Sequence, residues 1–305
     1  MNNTAFLFPG IAKSKYEDFQ EFIKGSKYAQ DLYQEASDLL GFPLLQNFAN
    51  GDKSVVTDRC AYFVNTLSLL NELDEAKKVN PKYVIGSSFG ITTAAVYLGS
   101  LNFVNAIHMV RETAIVEDNY LKAMDQEYGT HFIYKYSLPE LKDLIEEFNS
   151  KGKWMEISVY ISDDLIGIGA SIDTIDELKK IIKVRGKSTS IHTAELSHTS
   201  NLKDLRKQLD EKVYSQYHFS NLNSPFLSDL DGRIITSGSD LKNEMLKSVD
   251  NPVKFTLVHE RLLRDQIRDI YVIGPSNFFG AILKKDFSVR NVDPSKLKSL
   301  FEKEV

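Results

Sequence analysis

The chain has 305 residues, of which 42% are hydrophobic and 26% are charged, and it contains one cysteine, Cys60. This length can bury a large core as one domain or two smaller ones, and a lone cysteine excludes an internal disulfide and a cysteine-based zinc cluster. The formal charge of -5 argues against a nucleic-acid-binding surface, which needs clustered lysine and arginine. The sequence has no basic region ahead of an N-terminal apolar stretch and no long uninterrupted apolar run. We therefore expect a cytoplasmic protein without a membrane span.

The first part of the chain predicts a strand followed by helices. Residues 5–8 form a short apolar run that ends at Pro9 and Gly10, which is typical of a buried strand and a tight turn. Apolar residues recur three and four positions apart over 28–40 and 61–73, and this spacing predicts two helices.

The next segment predicts a strand, a turn and a helix. Residues 83–85 are β-rich and run directly into residues 86–90, which are rich in glycine and serine, and into a helix of small residues over 91–98. Asn102 is placed to cap a further helix from 103 to about 124, because its side chain can accept a hydrogen bond from the first turn.

The middle of the chain predicts a small unit of its own. Its order is βαββαβ, the ferredoxin-like arrangement, with a strand over 131–135, a helix over 138–148, two strands within 155–169, a helix over 175–184 and a strand over 190–193.

Further core strands, over 226–229 and 270–275, follow this unit in the sequence. We therefore predict that residues 127–195 are inserted as a small subdomain into a larger α/β subdomain made of residues 1–126 and 196–305.

Gly86, Ser88 and Gly90 form a G-x-S-x-G nucleophile-elbow pattern between the predicted strand and helix. A serine on so sharp a turn needs neighbours without Cβ atoms. The same pattern also fits a turn that merely caps a helix, so the motif alone leaves catalysis open.

A serine nucleophile needs a base, and His198 is the histidine whose position favours that role. It lies where the chain returns from the small unit to the large one, so its side chain could face the elbow. The remaining histidines have better structural or surface explanations: His108 within a helix, His131 and His192 on strands, and His218 and His259 in polar surroundings.

Several segments, in the same order along the chain, resemble malonyl-CoA:acyl-carrier-protein transacylases and the acyltransferases of polyketide synthases. The family's motifs F-P-G-Q-G, G-H-S-L-G, F-H-S or S-H, N-P-V-x-W/F-T and V-G-P-G-x-x-L-x-x-L-x-K correspond to residues 8–12, 86–90, 197–199, 251–256 and 273–284. The resemblance implies an α/β-hydrolase-like large subdomain with an inserted ferredoxin-like small subdomain.

The resemblance also implies a mechanism. Ser88 would be the nucleophile and His198 its base, oriented by a backbone carbonyl from the loop near Ser248 to Asn251. The backbone N–H groups of Ile11 and Phe89 would form the oxyanion hole. The substrate pocket would include Thr113, Ser197, Ser87 and Ser248.

One departure from the family concerns the acyl group. In the family motif V-R-x-R-G the second arginine pairs with the free carboxylate of malonyl substrates. Here the motif reads Val110-Arg111-Glu112-Thr113-Ala114, so the uncharged Thr113 stands at that position. Ser87, in place of the family's histidine, and Ser248, in place of a glutamine, also indicate a less charged pocket.

These departures predict an acyl hydrolase or acyltransferase for non-carboxylated acyl thioesters of acyl carrier protein. The elbow looks like that of a free-standing, trans-acting branch that clears stalled acyl chains in polyketide biosynthesis. Two alternatives stay open. One is a malonyl-CoA:acyl-carrier-protein transacylase whose carboxylate partner is Arg111 after a local shift, and the other is a catalytically silent scaffold protein.

The resemblance implies acyl carrier protein as the partner, with acyl-CoA as a further thioester, and neither nucleic acid nor membrane. Carrier proteins are acidic, so we expect basic residues near the cleft. The candidates are Lys179, Lys180, Lys183, Arg185, Lys187, Lys284 and Lys285, although each of them also fits an ordinary solvated surface. No metal or organic cofactor is implied.

Overall fold

A computed structural model describes residues 3–12, 14–184, 188–275 and 278–297. It contains two mixed β-sheets flanked by helices, and the predicted α/β fold class is confirmed. The strands are β1 (Thr4–Phe8), β2 (Tyr83–Gly86), β3 (Tyr128–Tyr134), β4 (Met155–Ser162), β5 (Leu165–Ser171), β6 (Ser188–Glu195), β7 (Phe226–Leu227), β8 (Ile234–Ile235), β9 (Val253–Lys254), β10 (Asp269–Ile273) and β11 (Ser288–Val292).

Twelve α-helices are assigned in the described part of the chain. They are α1 (Tyr16–Gly25), α2 (Lys27–Leu40), α3 (Leu44–Ala49), α4 (Val55–Lys77), α5 (Gly90–Tyr97), α6 (Phe103–Lys122), α7 (Leu138–Ser150), α8 (Ile172–Val184), α9 (Lys203–Lys212), α10 (Gly238–Asp250), α11 (Phe255–Arg264) and α12 (Phe278–Leu283). Within the described ranges, no helix combines the length and the hydrophobicity that crossing a bilayer requires.

The larger sheet carries the elbow at the carboxyl end of a central strand. Its order is β11-β10-β1-β2-β7-β8, and all neighbouring pairs are parallel except β7 and β8. Strands β1, β2 and β10 are buried along nearly their whole length, as expected for parallel strands covered on both faces. The loops that follow β1, β2 and β7 therefore meet at one edge of this sheet.

The smaller sheet has the order β6-β3-β5-β4-β9, and its first four strands pair with one another in antiparallel fashion. Helices α7 and α8 bury their apolar sides in a separate hydrophobic cluster with these strands. The succession β3-α7-β4-β5-α8-β6 is the predicted βαββαβ order. Strand β9 comes from outside this unit and pairs in parallel with β4, so the smaller sheet includes a strand from the chain segment that follows the unit. The exact division at residues 127 and 195 stays a prediction.

The elements differ from the sequence prediction where packing overrides local pattern. The helix predicted over 61–73 extends over the whole of α4, whose middle is buried on every side and whose exposed residues lie near its two ends. The strand predicted over 226–229 stops at Leu227. Strand β11, at the edge of the larger sheet, was not predicted, since its sequence contains arginine and asparagine. Ser276, within one of the family motifs, lies outside the described residues.

Candidate active site

Ser88 stands at the tip of a sharp turn between β2 and α5. Its backbone has φ = 53°, in the left-handed region that residues with a Cβ atom rarely adopt. The two flanking glycines are sterically required. A Cβ atom on Gly90 would lie 2.0 Å from the carbonyl oxygen of Phe8, and one on Gly86 would lie 2.5 Å from the Cα of Ile91. The turn is thus possible only because β1 and α5 approach the glycine backbone directly, which is the physical basis of the G-x-S-x-G pattern.

His198 is placed to accept the Ser88 proton. Its Nε2 lies 2.9 Å from Ser88 Oγ, and its Nδ1 lies 2.5 Å from the carbonyl oxygen of Ser248. A carbonyl can only accept, so Nδ1 carries the proton and Nε2 presents its lone pair to the serine. The His198 backbone also adopts a left-handed conformation, with φ = 59°, and its N–H donates to Val249.

The carbonyl of Ser248 belongs to the last turn of α10, not to a loop as the resemblance had implied. In a continuing helix it would accept from the N–H of residue 252, but Pro252 has no N–H. The carbonyl is therefore free for the imidazole. The Ser248 hydroxyl, expected in the substrate pocket, donates back to the Met245 carbonyl at 2.8 Å.

Burial sets the charge state of the base. His198 is 6% exposed, and burial lowers its pKa below the ordinary value of 6.5, while the hydrogen bond to Ser248 partly opposes this shift. The imidazole is consequently neutral at neutral pH, which is the form that can take a proton from Ser88.

The two N–H groups expected to form the oxyanion hole lie on the loops that border Ser88. Among the described residues, none accepts a hydrogen bond from the N–H of Ile11 or of Phe89. The loop after β1 comes so close that a Cβ atom on Gly10 would lie 3.9 Å from Ser88 Oγ. The hydroxyl of Tyr62, on α4, donates to the Gly10 carbonyl at 2.8 Å and holds this loop in place. The arrangement provides free donors beside the nucleophile.

The other residues predicted for the substrate pocket have different surroundings. Ser197 is half-buried, and its N–H donates to Thr130 Oγ1 on β3 at 3.2 Å. Ser87 is buried with its side chain beside the carboxyl group of Asp229, so it faces the protein interior. The Oγ1 of Thr113 is buried and makes no hydrogen bond of normal geometry to a described residue, although the phenol of Tyr214 faces it.

A buried arginine lies close to Thr113, and the prediction of a less charged pocket stays a prediction. Arg59, on α4, contacts Glu117 on α6 and Glu195 at the end of β6, and its side chain is only 11% exposed. Glu117 is one helical turn beyond Thr113, and Glu195 is three residues before His198. The sequence carries one signal of this cluster: an arginine at the start of a long apolar helical run.

A buried acidic residue lies below the elbow. Asp229 follows β7 and is fully buried, with its carboxyl group near the Ser87 hydroxyl and the Ser88 N–H but beyond normal hydrogen-bond geometry. Burial, together with the nearby Glu244, raises the pKa of Asp229 to about 7. Sequence reasoning had assigned this residue only to a core strand.

The basic residues proposed for carrier-protein docking are mostly at the surface. Lys180, Lys183, Lys284 and Lys285 are exposed, and Lys179 pairs with Asp176 at 3.0 Å. Arg185 and Lys187 lie outside the described residues. Docking at this surface stays a prediction.

Comparison with known proteins supports the resemblance over nearly the whole chain. No protein-family model matches. A malonyl CoA-acyl carrier protein transacylase of Bacillus subtilis is 23% identical over 292 residues, covering 93% of this chain and 72% of the relative. The crystal structure of FabD from Acinetobacter baumannii shares the fold with a TM-score of 0.88 at 21% identity, covering 98% and 97% of the two chains. A malonyl-transacylase solved in complex with its type II polyketide synthase acyl-carrier protein has a TM-score of 0.87 at 18% identity, covering 98% and 99%.

These comparisons confirm the resemblance to malonyl-CoA:acyl-carrier-protein transacylases and the prediction of an acyltransferase-type enzyme. The narrower resemblance to the trans-acting acyl hydrolase branch finds no support among them and stays a prediction.

Proposed function

We propose that this relative of the malonyl-CoA:acyl-carrier-protein transacylases transfers acyl groups between thioesters through an acyl-Ser88 intermediate, with acyl carrier protein as the acceptor. The observation that carries the proposal is the pair of contacts from one imidazole, to Ser88 Oγ at 2.9 Å and to the Ser248 carbonyl at 2.5 Å. A serine, an oriented neutral base and free N–H donors are the groups that acyl transfer requires.

In the first half-reaction, Ser88 Oγ attacks the thioester carbonyl carbon while its proton passes to Nε2 of His198. The oxygen of the tetrahedral intermediate gains a negative charge and is stabilised by the N–H groups of Ile11 and Phe89, a kind of contact whose loss costs about 3 kcal/mol in barrier height. The C–S bond then breaks, and the leaving thiolate takes the proton from His198. The product is an ester on Ser88.

The second half-reaction reverses these steps with a new thiol. The phosphopantetheine thiol of acyl carrier protein gives its proton to His198 and attacks the ester carbonyl, and Ser88 regains the proton as it leaves. Water in the place of the thiol would give hydrolysis. Through both halves, the carbonyl of Ser248 orients the imidazole and faces its Nδ1–H when the ring is positively charged.

Two acyl groups compete as the natural substrate. The named relatives favour malonyl-CoA as the donor. A second candidate function, transfer or hydrolysis of uncharged acyl groups in polyketide or fatty-acid biosynthesis, is favoured by the uncharged Thr113. Of the two, we propose malonyl transfer, because a guanidinium lies close to Thr113.

Intact-mass measurement tests the proposal directly. We expect the protein incubated with malonyl-CoA to gain one malonyl group, and the Ser88→Ala variant to gain none. Addition of holo acyl carrier protein should discharge the adduct and load the carrier. An adduct that persists in Ser88→Ala, or no adduct with any acyl thioester, would contradict a Ser88 intermediate, and the latter result would favour the scaffold alternative.

A further inference from the structure

We propose that Arg59 binds the free carboxylate of a malonyl group on Ser88, and that Glu195 occupies this position until the substrate arrives. This inference rests on the proposed function, acyl transfer through Ser88. The Arg59 guanidinium is buried between three elements: its Nη1 contacts Glu117 on α6, and its Nη2 lies 3.1 Å from Glu195 Oε2 at the end of β6.

The position of Arg59 on α4 brings it close to the nucleophile. Residues three apart share a helix face, so Arg59 lies nearly one turn, about 4.5 Å along the axis, from Tyr62. Tyr62 contacts both loops that border Ser88: its hydroxyl bonds the Gly10 carbonyl, and its ring packs against Phe89 with centroids 5.6 Å apart. A malonyl group is short, so the partner of its carboxylate must lie about this close.

The two glutamates that bind Arg59 differ in exposure. The side chain of Glu117 is 20% exposed, whereas that of Glu195 is 60% exposed. Release of Glu195 into water therefore costs little, since its carboxylate is already largely hydrated. Release of Glu117 would leave a buried charge without a partner.

Exchange of Glu195 for a substrate carboxylate keeps the charge balance around Arg59. One arginine and two glutamates carry a net charge of about -1, and after the exchange the guanidinium again faces two carboxylates. Simple addition of the substrate would place a third anion in the cluster. The structure thus favours exchange, with Glu117 remaining bound to Nη1.

A buried hydroxyl group without a hydrogen-bond partner among the described residues lies close to Arg59. Thr113 Oγ1 is buried and forms no hydrogen bond of normal geometry within the described chain. The buried phenol of Tyr214 faces both Thr113 and the Arg59–Glu117 pair. Unpaired buried hydroxyls are unfavourable. A carboxylate held by Arg59 would accept a hydrogen bond from Thr113 and thereby satisfy it.

Arg111 is the competing candidate for this role, since it is the arginine of the family motif that this chain retains. It is half-buried on α6, one turn before Ala114, and its charge acts on the buried Cys60 thiol, whose pKa burial raises to about 12. We therefore compare Arg59→Gln with Arg111→Gln, measuring the rates at which malonyl-CoA and acetyl-CoA acylate Ser88. Acetyl-CoA has no free carboxylate.

Arg59→Gln should slow malonyl loading by about ten- to hundredfold, the range of a lost charge-assisted hydrogen bond, and leave acetyl loading nearly unchanged. If Arg59 holds the carboxylate, Arg111→Gln should slow malonyl loading no more than it slows acetyl loading. Glu195→Gln removes the competing carboxylate and should lower the malonyl-CoA concentration needed for half-maximal loading by about two- to fivefold, without an effect on acetyl-CoA.

The double variant Arg59→Gln/Glu117→Gln removes both buried charges, and it should show the same selective loss if Arg59→Gln alone fails to fold. Equal slowing of both thioesters would overturn the role of Arg59 and leave the proposed function intact. Selective loss in Arg111→Gln would transfer the role to that residue. A wild-type protein that loads acetyl but not malonyl would also overturn the inference, whereas loading of neither would overturn the proposed function itself.

Discussion

The base of the candidate site is a histidine shielded from water. Because burial lowers the pKa of His198 below 6.5, the neutral form predominates at neutral pH. We expect the acylation rate of Ser88 to be constant above about pH 6.5 and to fall on acidification as the imidazole becomes protonated. Quenched-flow intact-mass measurements across this range provide the test. A midpoint above 6.5 would contradict the effect of burial.

Asp229 should make the stability of the protein depend on pH. Its pKa is raised from 3.8 to about 7 in the folded state, so between these values only the folded protein keeps the proton. The free energy of unfolding should therefore decrease as the pH rises from about 4 to about 7. Asp229→Asn abolishes this titration. The change that it causes in the free energy of unfolding should therefore be about 2–4 kcal/mol more favourable at pH 8 than at pH 4.

Urea unfolding at the two pH values measures this difference. Asp143→Asn, at an exposed position on α7, is the matched control and should leave the pH dependence of stability unchanged. If Asp229→Asn and Asp143→Asn behave alike, Asp229 is not the group whose proton is retained on folding.

At the residue scale, the sequence predicts those features of the site that are determined by residues nearby in the chain. Ser88 could be predicted because the steric demand of its turn is met by glycines two positions away on either side. The charged cluster was missed because its contacts are distant in sequence: Arg59 and Glu195 are 136 residues apart. Nothing near either residue indicates the other, so only the folded chain reveals a cation beside Thr113.

At the scale of elements, the close contact of β1 with the start of α5 gives a second stability prediction. Gly90→Ala would place a methyl group 2.0 Å from the Phe8 carbonyl oxygen, and the backbone on both sides is buried and cannot yield. We expect a loss of at least about 3 kcal/mol in the free energy of unfolding, together with loss of acylation.

Gly25→Ala, at the end of α1, is the control for this substitution. A Cβ atom there would meet no heavy atom within 4 Å. Thermal unfolding should therefore show little change for Gly25→Ala and a large decrease in Tm for Gly90→Ala. A Gly90→Ala protein as stable as the control would mean that the strand and helix can separate without cost.

Elements with a clear periodic pattern could be predicted, whereas the shortest could not. Helix α2 was expected within one residue of its observed start, because its apolar face is regular and Gly41 ends it in the left-handed conformation. Strands β8 and β9 have two residues each, and they exist because β7 and β4 offer them free backbone groups. Such strands depend on partners far away in the sequence.

At the scale of the whole molecule, the exposed lysines provide a test of carrier-protein docking. Charge reversal at Lys180 and Lys183, or at Lys284 and Lys285, should raise the KM for acyl carrier protein in the second half-reaction, because acidic carriers lose an attractive surface. Loading of Ser88 from malonyl-CoA should be unaffected.

Lys27→Glu/Lys53→Glu, at two exposed lysines in the first part of the chain, is the control for an equal change of net charge. Steady-state transfer rates at several carrier concentrations separate the effects. If Lys27→Glu/Lys53→Glu raises the KM as much as the other paired reversals do, the attraction is a property of total charge and not of a docking surface.

The 2.9 Å contact between Ser88 and His198 also spans the two layers of the protein. The serine is attached to the larger sheet, whereas the histidine sits between the end of β6 and the last turn of α10. A shift of one sheet relative to the other by about an ångström would separate Ser88 Oγ from His198 Nε2 while both sheets stay folded. The acylation rate of Ser88 therefore depends on the alignment of the two sheets. Acylation should be lost at a lower temperature, or at a lower denaturant concentration, than the secondary structure.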